Sequence, residues 1–372
     1  IDGGDDGIDA TNQAGTDLTI TTTAAITGAD EAIVADNHGS GALIINAQAS
    51  LMGNRDEGLQ ARNHNGTYMT VNTADVYGDD TGIWAVNNGS GALIINATGA
   101  VTGTRSDGID ADNTGTDLTI VATTVTGEDD GIQADNQGSG VLSITTTGTV
   151  TGNSDSGITA FNGVAGTDIL INSAAIIAGG NGIDANNDGT GYIDISVSGT
   201  ITAGDAGVFA ENSTNGTSLT VNTLAINAVG HGIDVDNDGT GAIYITSTDI
   251  ISSGDVGVFV NNSVNGTDVI INTVAVTGTD EGIGADNYGS GALVINATGT
   301  ITGDGDEGID AENNGTDLTI TTAAVVANDD GIAAVNNGTG KLTVTSTSSI
   351  VAGNEGIYAV SHGTDLTITT AT

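Results

Sequence analysis

Paired carboxylates recurring at one kind of turn are the residues of this chain best placed to do chemistry. They are Asp5 and Asp6, Asp30 and Glu31, Asp56 and Glu57, Asp79 and Asp80, Asp129 and Asp130, Asp280 and Glu281, Asp306 and Glu307, and Asp329 and Asp330. Single acids hold the same place at Asp107, Asp155, Asp205, Asp255 and Glu355. If these turns stack at strand spacing, about 4.8 Å, like charges repel by roughly 1 kcal/mol even in water. A hard divalent cation relieves that repulsion. Ca²⁺ accepts irregular shells of six to eight oxygens, so Ca²⁺ is the expected cofactor. Neither an EF-hand loop nor a GGxGxDxUx nonapeptide is present, so charge density carries the expectation. The alternative is a solvated acidic edge screened by salt. The row has gaps at Gly180 and Asn181, and at Gly230 and His231.

The elements that hold these turns show themselves by spacing. Aliphatic anchors recur at Ile8, Ile33, Leu59, Ile83, Ile109, Ile132, Ile158, Ile183, Val208, Ile233, Val258, Ile283, Ile309, Ile332 and Ile357. Four residues after the first fourteen stand Asn12, Asn37, Asn63, Asn87, Asn113, Asn136, Asn162, Asn187, Asn212, Asn237, Asn262, Asn287, Asn313 and Asn336; the fifteenth is followed by Ser361. Steps of 23 to 26 residues between anchors mean one unit written fifteen times. Leu118-Thr119-Ile120, Val125-Thr126 and Ile132 to Asn136 read as three strands, with Ile132, Ala134 and Asn136 inward. The chain is therefore expected to be all-β: a single right-handed, three-faced parallel β-solenoid of about 15 coils of ~25 residues. Residues 1–372 read as one continuous domain without linker or recognisable caps, roughly 70 Å long at strand spacing. The Asn residues are expected to bond amide to amide along the stack; turn formation is the competing reading. A second period of about 50 residues overlies the first. The turn before the first strand alternates between GTD (Gly115 to Asp117) and GSG or GTG (Gly138 to Gly140).

Composition narrows the function. Aromatics are 3%, proline and cysteine are absent, and glycine numbers 59, so the core is thin, aliphatic and free of disulfides. Four Lys+Arg against 47 Asp+Glu give a net charge of −43, which excludes phosphate-neutralising nucleic-acid binding. No apolar run reaches the ~18–20 residues of a membrane span, so direct membrane insertion is not expected. The sequence begins in mid-repeat, as a mature, processed or trimmed segment would.

The motifs GIDADN (Gly108 to Asn113), GSGALIINATG (Gly89 to Gly99) and GTDLTI (Gly315 to Ile320) resemble the β-strand repeats of large bacterial surface proteins, such as autotransporter passengers and adhesins. The resemblance covers the whole chain. It implies an extracellular place, at a cell surface or in a secreted matrix, and it leaves activity open because such repeats serve many purposes.

Four aromatics are expected on the outer side of the third strand: Trp84, Phe209, Phe259 and Tyr358. They offer lateral contact with a neighbouring rod, sugar stacking on host or matrix glycans, or no role. The same outer side carries Asp9, Asp110, Asp184, Asp234 and Asp310, expected to be a solvated face. Arg55, Arg62 and Arg105 are expected to pair with nearby acids. His38 and His64 fall near a turn in adjacent coils. They make a possible metal pair, though an exposed turn is the simpler reading.

No catalytic constellation is visible, so an enzyme is not expected. A carbohydrate-binding or carbohydrate-active β-helix is one alternative. The other is an ice-binding solenoid with Thr rows such as Thr319 and Thr321. Leu118 to Ile132 is a 14-residue step, and Leu366 through Thr372 to Ile8 of a second copy is the same, so copies are expected to continue the spiral head-to-tail as a filament, and possibly side by side.

Overall fold

The structure is a computed structural model that describes residues 1–371. Thr372, which closes the phase count between the two ends, lies outside the described residues. Every regular element among the described residues is a strand, and the strands build a parallel β-solenoid. Two compact units are present, Ile1–Thr190 and Gly191–Thr372.

In the first unit the third strands of eight coils, from Ile8–Asn12 to Ile183–Asn187, pair in parallel. In the second, seven coils from Val208–Asn212 to Ile357–Ser361 do the same. Anchor pairs with anchor and Asn with Asn, as in Ile83↔Ile109 and Asn87↔Asn113. Leu118–Ala122 and Val125–Gly127 stack the same way on the first and second strands of the neighbouring coils. Residues alternate across each strand because successive side chains point to opposite faces. Ile109, Leu118, Ile120 and Val125, drawn from all three faces, are fully buried. Leu293–Gly303 and Leu318–Ala327 pass through the bend between first and second strands as single strands, with a register shift between Ala297 and Thr300.

The Asn residues do bond along the stack. From Asn12 to Asn187 each Nδ2 donates to the Oδ1 of the next Asn at 2.8–3.1 Å. From Asn212 to Asn336 the same bonds measure 2.8–3.2 Å. The turn reading is true as well. Asn87 donates to Asn113 Oδ1 at 2.8 Å and to Gly91 O at 3.0 Å. It accepts from Asn63 Nδ2 at 2.8 Å and from Gly89 N–H at 3.2 Å. Two donors and two lone pairs are thus all used on a side chain with no exposed surface. Aspartate would bring charge and no donor; leucine would orphan the Gly89 N–H. A Cβ on Gly89 would fall 2.5 Å from Asn63 Nδ2, so the turn residue is glycine. The ladder stops at Ser361: Asn336 Nδ2 and Ser361 Oγ are buried without partners.

The two-coil period has a steric cause. Asp117 Oδ1 accepts the Val141 N–H of the next coil at 2.9 Å. Asp17, Asp268 and Asp317 do the same for Ala42, Ala292 and Lys341 at 2.7–2.9 Å. Each carboxylate then occupies the place of a side chain in the next coil. A Cβ on Gly140 would lie 1.9 Å from Asp117 Oδ1, and one on Gly41 or Gly340 would meet Asp17 or Asp317 at 2.0 or 2.1 Å. A coil with Asp at this corner therefore needs a coil with Gly after it.

Two stability measurements check these readings. Ser361→Asn should raise the unfolding midpoint, by about 1 kcal/mol, because it gives the Asn336 amide an acceptor; an unchanged or lower midpoint counts against an amide-led register. Gly140→Ala should cost about 1–3 kcal/mol by overpacking, and less in the Asp117→Ala background. Equal costs in both backgrounds would show that Asp117 is not the obstacle.

Candidate cation sites on the acidic corner

The paired acids lie in the bend between the second and third strands, for example between Leu51–Gly53 and Leu59–Asn63. Stacking brings some of them together across coils. One carboxylate oxygen each from Glu31, Asp56 and Glu57 lie within 4.8 Å of one another, and Glu281, Asp306 and Glu307 form a matching group. Both groups span two adjacent coils and are half-buried.

Burial dominates their electrostatics. It pushes the Glu57 carboxyl up to about 7, with Asp56 and Asp80 adding repulsion. Glu31 is pushed to about 7 by burial, then by a hydrogen bond shared with Asp6. Glu281 rises to about 7 through burial and the charges of Asp310 and Glu307, and Glu307 to about 7 through burial and Asp306. Glu57 Oε2 is buried with no partner. Such a group is only partly ionised near neutral pH, and its ionised form is the one a cation would stabilise.

The remaining acids of the corner are engaged differently. Asp130 Oδ1 accepts Ser156 N–H at 2.8 Å, and Asp330 Oδ1 accepts Glu355 N–H at 2.9 Å. Asp107 does the same for Asp130 N–H at 2.9 Å. Aspartate at this position reaches the backbone of the next coil, whereas Glu31, Glu57 and Glu307 fold back on their own backbone. Asp79 pairs with Arg105 at 2.8 Å and Asp30 with Arg55 at 3.1 Å, both at the surface, where such pairs contribute little. Asp5 and Asp30 share a hydrogen bond that holds the Asp5 carboxyl above and the Asp30 carboxyl below the ordinary range. Asp129 accepts from Ser154 Oγ at 3.1 Å. Asp6, Asp80, Asp280 and Asp329 act as neighbouring charges on Glu31, Glu57, Glu281 and Glu355 respectively. The row is thus resolved into two carboxylate groups and a series of backbone and arginine contacts.

Three other expectations need adjustment. The outer Asp row of the third strand is solvated only in part: Asp9 and Asp310 are exposed, whereas Asp110, Asp184 and Asp234 are half-buried. Burial pushes Asp110 up to about 7 and Asp234 to about 6, because strands on either side crowd the carboxyls at sheet spacing. Arg62 does not serve the acidic corner; its guanidinium lies 4.4 Å from the Trp84 ring centroid and covers it. Phe259 stacks 5.9 Å from the His231 ring, Phe209 is half-buried, and Tyr358 is 47% exposed.

A second amide ladder went unread in the sequence. Asn96 donates to Asn72 at 2.9 Å and Asn72 to Asn46 at 2.8 Å, on the outer side of the first strand; Asn296 donates to Asn272 at 3.0 Å. Shared register was the available signal, hidden because Asn46 and Asn96 stand out first as breaks in a Thr row. That row is longer than it looks in one place: Thr319, Thr343 and Thr367 align, as do Thr321, Thr345 and Thr369. No protein-family description, curated protein or solved structure matches this chain.

The raised carboxyl groups have a pH consequence. A carboxyl whose folded value lies above its unfolded value stabilises the fold below about 4.5, and that contribution is lost as pH rises through about 7. In EGTA the unfolding midpoint should therefore fall between pH 5 and 8, and Ca²⁺ should restore it chiefly at the upper end. A Glu57→Gln, Glu281→Gln variant should show a smaller fall and a smaller calcium gain. A pH profile identical in that variant and the parent would remove these groups from the account.

Proposed function

We propose that this chain is a structural protein, part of an extracellular filament or of a rod in a surface adhesin, stiffened by Ca²⁺ at its acidic corners. The supporting observation is the amide ladder: an Asn such as Asn87 fills two bonding positions with the coils above and below and the other two with its own turn, which serves repetition of the stack. The carboxylate groups at Glu31, Asp56 and Glu57, and at Glu281, Asp306 and Glu307, supply hard oxygen donors of the kind Ca²⁺ takes. Copies of the chain itself are the proposed partners, end to end and side by side through Tyr358 and its neighbours, with glycans as further ligands.

End-to-end contact meets one steric demand. In a second copy stacked in phase, Thr16 would stand next to Asp365, where the alternation elsewhere provides glycine. The junction is then the weakest step of such a stack, and Thr16→Gly eases it. Electron microscopy of the purified chain in Ca²⁺ and in EGTA tests the reading. Fibres are expected in Ca²⁺, shorter or softer in EGTA, and longer for Thr16→Gly. Discrete particles unaffected by chelation and by the substitution would overturn the filament and the calcium parts together.

A further inference from the structure

One cluster outside the acidic corner has a different chemistry. His38 and His64 follow Asn37 and Asn63 directly, at equivalent places in adjacent coils. Their backbones are pinned by the stack: His38 N–H donates to Asn12 O and His64 N–H to Asn37 O, each at 2.9 Å. The Asn37–Asn63 amide bond of 2.9 Å holds the register beneath them. The two imidazole rings consequently lie face to face, centroids 4.1 Å apart and 3° from parallel. A face-to-face sandwich is the least favourable way to pair aromatic rings, and it becomes repulsive if both are protonated. Asp36 stands at the edge of the pair, its Oδ1 3.4 Å from His64 Nε2. Its register partner Arg62 is turned toward Trp84.

We propose that Asp36, His38 and His64 form a binding site for a borderline transition-metal ion, represented by Zn²⁺, that clips two successive coils together. One ring nitrogen from each histidine and a carboxylate oxygen of Asp36 already lie within 4.8 Å of one another. Two donors on one tetrahedral zinc are about 3.4 Å apart, given Zn–N near 2.1 Å. Tilting the two rings out of their parallel stack, with a shift of roughly an ångström at the donor atoms, brings them to that tetrahedral spacing. Imidazole nitrogen selects zinc, nickel or copper over calcium, so this site and the carboxylate corners take different ions. Three protein ligands leave a fourth position for water. The inference stands independently of the filament reading.

Calorimetric titration with Zn²⁺, in Ca²⁺ sufficient to occupy the acidic corners, tests it. The parent chain should show one tight class of about one ion per chain. His38→Ala and His64→Ala should each weaken that class by at least about tenfold, and Asp36→Asn by a smaller factor. Circular dichroism of the variants, expected to match the parent, separates lost binding from lost folding. Cobalt substituted for zinc should show the intense visible bands of a four-coordinate nitrogen and oxygen site, absent from the double histidine variant. A parent isotherm with no tight class, or one that His38→Ala with His64→Ala leaves unchanged, would place the metal on scattered carboxylates and overturn the assignment.

Discussion

Axial hydrogen bonding between identical amides is the constraint on which the rest depends. A parallel stack of strands is bonded by its backbone in any register, and a slip by one residue would turn every buried side chain outward. The Asn ladder removes that freedom. Asn87 meets its full complement only when Asn63 lies below, Asn113 lies above and its own turn closes at Gly91. Register and turn geometry thus follow from one side chain, while the glycine at Gly89 answers to the Asn63 amide and the Thr67 carbonyl of the coil below. With the register set, Ile, Leu and Val fill the interior without aromatics, because each coil offers the same small set of shapes to the next.

The same regularity creates the electrostatic problem. Stacking repeats every charge at strand spacing, and 47 acids against four bases leave few direct pairings. The structure handles this in three ways. Some carboxylates become backbone acceptors, as Asp107 and Asp130 do along the corner. A few take an arginine. A third set, Glu31, Glu57, Glu281 and Glu307, is pushed up by burial to about 7, and one oxygen of Glu57 is buried without a partner. Protonation and cation binding are interchangeable answers for that last class, which links the stability of these corners to pH and ionic surroundings.

The alternation of Asp and Gly corners adds direction to the stack. Asp117 reaches into the next coil and claims the volume a Cβ on Gly140 would need. Adjacent coils are therefore not interchangeable, and duplication by coil pairs preserves the fit where duplication by single coils would not. The repeating unit of the protein is a coil pair, although the repeating unit of the backbone is a coil.

Much of this was legible in the residues. The anchor spacing, the three strands per coil, the inward Asn row and the two-coil period are all periodic, and periodicity survives in one dimension. Arg62 over Trp84, the half-buried state of Asp110 and the Asn46–Asn72–Asn96 ladder were not legible, for each depends on which side-chain conformer is chosen between neighbours roughly 25 residues apart. The acidic corner shows the division most sharply. Its place in most coils follows from sequence alone, because turn residues and charge recur in phase with the anchors, with gaps at Gly180 and Asn181 and at Gly230 and His231. Which acids meet was decided only in three dimensions, where the length of one methylene sends Asp130 to a backbone N–H and leaves Glu57 among other carboxylates.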